Sequence, residues 1–183
     1  MTLFFERGYD EVTVADIAKQ AGLTKRSFFN HFADKREVVF AAADGFEGSV
    51  ISALAEADSG FDPLDAAVLA FTRASAGLEE FPEFARARRK LIDSALELQE
   101  RDLVKTASLT AAVADALASR GLPRRDALYV AQAAATVFTA GVDEWVQEPQ
   151  QGLAASIQQA LGDLRSALGP VAGISRAPGA RSA

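Results

Sequence analysis

Apolar residues recur at intervals of three and four along nearly the whole chain, and no segment alternates with a period of two for long. Alanine, leucine, glutamate, glutamine and arginine, which favour helix, dominate the composition. Glycines, prolines and short polar turns divide the pattern. The sequence therefore predicts an all-α protein, with short helices at the N-terminus and longer helices after them.

Glycines and prolines mark the expected ends of these helices. Gly8 and Gly22 end the first two, and Pro63 suits the first position of a helix that follows a polar turn. Residues 169–183 lack periodicity, and we expect them to form a disordered tail. The predicted helices span residues 2–7, 14–21, 25–31, 35–57, 63–80, 83–98, 100–119, 124–147 and 153–168.

The composition narrows the possible chemistry. The chain has no cysteine and a single histidine, His31, which excludes disulfides, thiol nucleophiles and a multi-histidine metal site. We therefore expect no catalytic residues, no metal and no cofactor, and we do not expect an enzyme. The longest uncharged run, residues 127–142, is too short to span a bilayer, and the N-terminus lacks a signal-peptide pattern. These features predict a cytoplasmic protein without a membrane partner.

The net charge of −6 is distributed unevenly. Residues 1–40 contain six basic and six acidic residues, whereas the remainder contains 13 basic and 19 acidic ones. Four of the first six cations fall between Lys25 and Arg36 and are interleaved with aromatic residues. This distribution predicts a local basic surface on an acidic protein.

A threonine or an aspartate precedes each of three predicted helices. Thr13 and Asp16 have the spacing of a capping box, in which each side chain accepts a hydrogen bond from the other residue's amide. Asp34 and Glu37 repeat this spacing before the fourth helix, and Thr24 suits the cap of the third. These signals predict three closely spaced helix starts.

The turn between the second and third helices contains Gly22, a residue suited to a left-handed conformation. Two short helices joined by such a turn are typical of a helix-turn-helix. Phe28 and Phe32 share a face of the third helix with the preceding Leu23, and we expect all three to pack inward. The opposite face, which suits a DNA groove, carries Lys25, Arg26, Phe29 and Asn30.

Residues 4–35 resemble the N-terminal domain of the TetR family of transcriptional regulators. The matching motifs are RGY at 7–9, T-x-x-D-I-A-x-x-A-G at 13–22 and H-F-x-x-K at 31–35. The resemblance implies a helix-turn-helix domain at residues 1–40, followed by a helical effector-binding and dimerisation domain at 41–168. Met1 falls within the family's first helix, so we expect that this helix lacks two to four turns in this chain.

The resemblance also implies residue roles in binding a roughly palindromic double-stranded operator. Arg26 and Asn30 would read bases, while Phe29 stands where the family usually has tyrosine. Thr13 and Thr24, and likewise His31 and Lys35, would contact the phosphate backbone. The expected DNA-binding residues are Thr13, Thr24, Lys25, Arg26, Ser27, Phe29, Asn30, His31 and Lys35.

The second domain offers two candidate surfaces. The expected pocket for a small apolar effector comprises Phe71, Phe81, Phe84, Leu91, Leu109, Val113, Tyr129 and Phe138. The expected interface of a homodimer comprises Ala131, Ala134, Ala135, Phe138, Val142, Trp145, Leu153, Ile157, Leu161 and Leu164. Burial of the second set within one subunit is the alternative. The basic cluster Arg86, Arg88, Arg89 and Lys90 is either an anion site or, as we favour, a solvated helix face.

The sequence thus predicts a DNA-binding regulator, a homodimeric repressor that a small molecule releases from its operator. The alternative is a helical small-molecule-binding sensor whose DNA-binding domain is vestigial. Binding to the DNA that flanks its own gene separates the two.

Overall fold

The computed structural model describes residues 1–41 and 45–169, and all regular structure in these ranges is helical. The predicted all-α class is confirmed. Short 3₁₀ turns lie at Ala76–Glu80 and Pro149–Gln151. The α-helices within these two ranges number ten: α1 Thr2–Arg7, α2 Val14–Gln20, α3 Lys25–His31, α4 Lys35–Phe40, α5 Phe46–Ala55, α6 Pro63–Ser75, α7 Pro82–Asp93, α8 Leu96–Ser119, α9 Arg124–Gln147 and α10 Leu153–Leu168.

We call residues 1–41 the head and residues 45–169 the body. The tail predicted to be disordered lies, except for Gly169, outside the described residues. Within the described ranges, each helix is too short or too polar to cross a membrane.

The expected helix of residues 35–57 is broken. Helix α4 ends at Phe40, and α5 begins at Phe46, after Gly45 with a φ of 91°. Glycine adopts this left-handed conformation without the steric cost that other residues incur. The break was missed because the helical pattern continues on both sides of it.

Five body helices enclose the main core. Helices α5, α6, α8, α9 and α10 contribute its buried residues. At its centre the rings of Phe71 and Phe138 stack 5.0 Å apart, and the Phe46 ring lies 5.5 Å from that of Phe138. Trp145, the only tryptophan, is 1% exposed in this core.

Helices α9 and α10 approach very closely at Gly141. A Cβ added there would lie 2.6 Å from the Cα of Ile157, which is shorter than real Cβ contacts allow. The crossing therefore requires glycine. The Glu79 carboxylate accepts a hydrogen bond from the Leu153 amide at 2.6 Å, so it caps α10 from the 3₁₀ turn Ala76–Glu80.

A second buried cluster joins the head to the body. The head contributes five residues to it: Phe4, Tyr9, Val12, Val39 and Phe40. The body contributes four from α7, α8 and the turn between them: Leu91, Ile92, Ala95 and Leu98. This cluster is therefore shared between the head and the body.

The packing of α9 and α10 corrects the expected dimer interface. Seven of the ten residues are buried within the single chain, and the other three are partly buried against its core, because both stripes face α6 and each other. The seven buried side chains are therefore covered by their own chain and not by a second copy. The residues concerned are Ala131, Ala134, Ala135, Phe138, Val142, Trp145, Leu153, Ile157, Leu161 and Leu164.

Candidate DNA-binding head and its junction with the body

The outer face of α3 is open to solvent. Phe29 is 55% exposed, and Lys25, Arg26, Asn30 and His31 are also exposed. Neither Lys25 nor Arg26 forms an ion pair with another described residue. Two unpaired cations, an amide and an aromatic ring thus share one exposed helix face.

The inner face of α3 fixes its orientation. Phe28 is 2% exposed, and its ring centroid lies 5.3 Å from that of Phe32 and 5.4 Å from that of Phe29. The Leu23 amide bonds to the Ala18 carbonyl at 2.8 Å, which closes the turn at Gly22, where φ is 68°. Leu23 itself is 44% exposed, so it packs less than the sequence led us to expect.

The helix caps of the head form as predicted for Thr13 and Thr24. The Thr13 hydroxyl accepts from the Asp16 amide at 3.2 Å, and the Asp16 carboxylate accepts from the Thr13 amide at 3.0 Å. Hydrogen bonds from Thr13 hold the pKa of Asp16 below its ordinary value. The Thr24 hydroxyl accepts from the Ser27 amide at 3.1 Å, and Ser27 is half-buried. Both threonines remain exposed at the helix ends.

The cap of α4 differs from a full capping box. The Asp34 carboxylate accepts from the amides of Arg36 and Glu37, and the Arg36 guanidinium holds the pKa of Asp34 below its ordinary value. The Glu37 carboxylate does not return the bond, because it pairs with the Arg101 guanidinium of α8 at 2.6 Å. A residue expected to act within the head therefore links the head to the body.

The Lys35 side chain forms hydrogen bonds within the head. Its ammonium donates to the carbonyls of Tyr9 at 3.0 Å and Val12 at 3.3 Å, and it lies 4.0 Å from the centroid of the Tyr9 ring. These carbonyls take two of its three ammonium hydrogens, so one remains for the DNA contact that the sequence predicts. Its main contacts fix the turn before α2 against the start of α4.

Arg88 of α7 contacts the end of α4. Its Nε donates to the Val39 carbonyl at 3.2 Å, and its guanidinium lies 5.2 Å from the centroid of the Phe40 ring. Burial lowers the pKa of Arg88, while the nearby Asp102 opposes this effect. In the sequence Arg88 lies among the other cations of α7, and only the tertiary structure separates it from them.

Two further contacts hold this junction. The Lys105 ammonium lies 3.7 Å from the Glu37 carboxylate, beside the Arg101 pair. Burial raises the pKa of Tyr9, and the Glu97 carboxylate of α8 raises it further. A cleft of about 580 Å³ opens between the end of α3, the start of α4 and α8. The junction is therefore polar at its rim and apolar in the cluster beneath.

The residues of the expected apolar effector pocket lie in different parts of the described structure. Phe71 and Val113 lie in the body core, while Phe81 and Tyr129 are more than half exposed. The eight residues are therefore divided between the body core, the cluster shared with the head and the surface. None of the eight expected residues lines the three described clefts: Phe71, Phe81, Phe84, Leu91, Leu109, Val113, Tyr129 and Phe138.

A helix-turn-helix head on a helical body defines a class of bacterial transcription regulators. The profile of bacterial regulatory proteins of the tetR family matches residues 1–42, and the profile of the MftR C-terminal domain matches residues 61–169, more than half of the chain. The chain belongs to the TetR family, a family of DNA-binding transcriptional regulators, and the predicted resemblance is confirmed.

Two individual proteins are similar to this chain. The chain is 35% identical over 71 residues to the HTH-type transcriptional regulator TcmR of Streptomyces glaucescens; the match covers 39% of this chain and 31% of that protein. The crystal structure of PfmR, a TetR family transcriptional regulator of Thermus thermophilus, is 24% identical with a TM-score of 0.46. That alignment covers 89% of this chain and 92% of PfmR.

Proposed function

We propose that this chain is a homodimeric transcriptional repressor with a DNA-binding unit at residues 1–40 and an effector-binding and dimerisation unit at 41–168. One observation carries the proposal: α3 exposes Lys25, Arg26, Phe29 and Asn30 together, while Phe28 anchors its other face. A two-residue basic surface beside an amide suits the edges of bases in a major groove.

The proposed contacts follow from the position of each side chain on the head. Arg26 and Asn30 read bases, and Lys25, Ser27 and Phe29 contact the groove walls. Thr13 and Thr24 cap helix N-termini, where side chains and free amides bind phosphate, whereas His31, at the C-terminal end of α3, contacts phosphate through its side chain. Lys35 supports this surface from inside the head.

We propose that two copies pack through the outward faces of α9 and α10. On α10 this face carries exposed small and polar residues, among them Ala155, Gln158 and Gln159. Two-fold symmetry would place the two α3 helices on half-sites whose centres lie ~34 Å, or a multiple of it, apart.

Release would require an effector that binds the DNA-incompatible state more tightly than the DNA-competent one. The junction formed by Arg88, Glu37 and Arg101 links α7 and α8 to α4. A shift of either body helix would therefore change the position of the head. This link supports repression with effector-induced release.

A gel shift with the DNA that flanks its own gene tests the proposal. The wild-type protein should retard a fragment that contains a roughly palindromic site. Arg26→Ala should lose ~1–3 kcal/mol of operator binding and relax the preference at one base pair. Arg73→Ala is the matched control, because Arg73 is exposed on α6, remote from the head in sequence and without an ion pair among the described residues.

The same experiment decides the alternative. If no flanking fragment is retarded even at low salt, the head is vestigial and the chain acts as a small-molecule sensor. If Arg26→Ala binds the operator as tightly as the wild type, α3 is not the reading element.

A further inference from the structure

The body has a basic cleft between α7 and α9. Its volume is about 380 Å³, and it is lined by Arg86, Arg89, Lys90, Asp93, Asp143 and Val146, among others. We propose that this cleft binds the carboxylate or phosphate group of the effector. The effector role rests on the proposed function, whereas the anion site is argued from the cleft alone.

The cations of α7 divide between two sides of the helix. Arg86, Arg89 and Lys90 have the i, i+3 and i+4 spacing of a single helix face, and this face lines the cleft. Arg88 contacts α4 instead. Three of the four cations that the sequence places together therefore converge on one space.

Two arginines of the cleft already bind oxygen acceptors. Arg89 Nη2 lies 3.0 Å from Asp143 Oδ2, and Arg89 Nε lies 3.7 Å from Asp93 Oδ1. Arg86 Nε donates to the Val146 carbonyl at 2.9 Å, while its Nη1 bonds to Glu83, whose side chain is mostly exposed. The guanidiniums are thus fixed at the cleft, with an internal carboxylate on Arg89 where a ligand carboxylate would bind.

Lys90 gives the cleft a charge that is available to an anion. Arg86 pairs with Glu83, and Arg89 pairs with Asp93 and Asp143, within a protein whose net charge is −6. Lys90 is exposed and forms no ion pair within the described part of the chain. An incoming anion can therefore bind Lys90 and Arg86 while it replaces Asp143 on Arg89.

A neighbouring groove gives room for the rest of the ligand. It lies between α8 and α9, has a volume of about 570 Å³ and shares Asp143 with the basic cleft. The accessible lining of this groove is mostly apolar, and the Thr110 and Thr136 hydroxyls donate to backbone carbonyls of their own helices. The ligand that fits both spaces has an anionic end and a largely apolar body.

The position of the cleft links the ligand to the head. Helix α7 carries the anion-facing cations on one side and Arg88, bonded to the Val39 carbonyl of α4, on another. An anion that pulls Arg86 and Arg89 would move the same helix that holds the end of α4. The cleft is therefore suited to change the position of the head.

Isothermal titration of the full chain with benzoate, benzylamine, benzyl alcohol and inorganic phosphate tests the site. Benzoate or phosphate should bind, and the cationic and neutral analogues should not. Arg89→Gln should weaken anion binding by about tenfold. Asp143→Asn should strengthen it by a similar factor, because Arg89 loses its internal carboxylate. Arg73→Gln, remote from the cleft in sequence, is the control and should bind as the wild type does.

Two outcomes would overturn the site: no anion binding to wild type or Asp143→Asn at ~10 mM, or binding that Arg89→Gln leaves unchanged. A gel shift with the same anions then tests the effector role. Arg89-dependent binding without any effect on DNA affinity would overturn that role and retain the anion site. Absence of DNA binding in all samples would instead overturn the proposed function, while titration still decides the site.

Discussion

The head and the body are stabilised in different ways. The body has a core of its own, to which five helices contribute residues from Val50 to Leu161. The head has strong local signals, with side-chain caps on three short helices, but its buried cluster is completed by residues of α7, α8 and the turn between them. Local sequence signals therefore define the helices of the head, whereas the body determines how they are held.

This difference separates a boundary in sequence from a boundary in packing. The helix-turn-helix pattern ends near residue 40, but the cluster that contains Val39 and Phe40 continues into Leu91 and Leu98. Helices as short as α1 and α4 are unstable alone, so they depend on this contact. A protein built in this way can transmit a change in the body to the head through packing alone.

Leu98→Ala should have the largest effect of the variants that test this difference between head and body. Leu98 is fully buried in the shared cluster, so its truncation should lower the free energy of unfolding by about 2–5 kcal/mol. It should also weaken operator binding by the folded protein by about 0.5–2 kcal/mol, because the head loses its support. Urea unfolding and a gel shift under fully folding conditions measure the two effects.

Leu54→Ala is the matched control for Leu98. Leu54 is equally buried, but it lies in the core of the body. It should lose a similar free energy of unfolding and retain its affinity for DNA. Equal effects of both variants on DNA binding would show that the head does not depend on the shared cluster in particular.

The crossing of α9 and α10 provides the second test, within the body alone. Gly141→Ala places a methyl group against the Ile157 backbone and should cost about 1–3 kcal/mol of stability. Gly162→Ala is its control, because no atom lies within 4 Å of an added Cβ there. That variant should be neutral or more stable by about 0.5–1 kcal/mol. Trp145 fluorescence follows both, since the only tryptophan lies in the body core; equal stabilities would contradict the close crossing.

The local features of this chain could be predicted because each depends on a few neighbouring residues. The Thr13–Asp16 capping box and the position of Pro63 at the start of α6 both follow from spacing and are present. The break before α5 was missed, because Gly45 interrupts a pattern that is helical on both sides.

The tertiary assignments could not be predicted in the same way. An apolar stripe such as that of Ala131 and Trp145 indicates that a helix face is buried, but not whether its own chain or a second copy covers it. Similarly, the cations of α7 lie within five residues, and only the packing separates Arg88 from Arg89. The sequence signal shared by Arg88 and Glu37 is charge, which does not identify a partner far along the chain.

Lys35 provides the third test, within the head. Lys35→Met keeps the apolar stem but removes the donor to the Tyr9 and Val12 carbonyls, which should cost about 1–2 kcal/mol of stability. Lys25→Met is the control, because the exposed Lys25 has no ion-pair partner among the described residues. That variant should leave stability unchanged and weaken DNA binding. A Lys35→Met protein of wild-type stability with weaker DNA binding would show that Lys35 acts mainly as a phosphate contact.

The smallest expected effect is on the pH dependence of stability, which should differ between the head and the body in acid. In the head, hydrogen bonds lower the pKa values of Asp16 and Asp34 below the ordinary value of 3.8. Each group therefore stabilises the folded head fully above pH 3.8, and this contribution is lost as the pH falls through the lowered pKa of the folded state. Asp16→Asn and Asp34→Asn should each make the stability of the head depend less on pH.

In the body, Asp143 should have the opposite effect. Burial raises its pKa above 3.8, with Asp93 and Asp102 adding to the rise and Arg89 opposing it. Since the unfolded chain ionises this group more readily, stability should fall as the pH rises from 3.8 through the raised pKa, and Asp143→Asn should remove this fall. Urea midpoints between about pH 3 and 6, followed by Trp145 fluorescence for the body and helical circular dichroism for the whole chain, measure the difference. Parallel changes in both signals would show that the head and body unfold as one unit; acid loss of helical signal before the Trp145 transition would show that the head unfolds first.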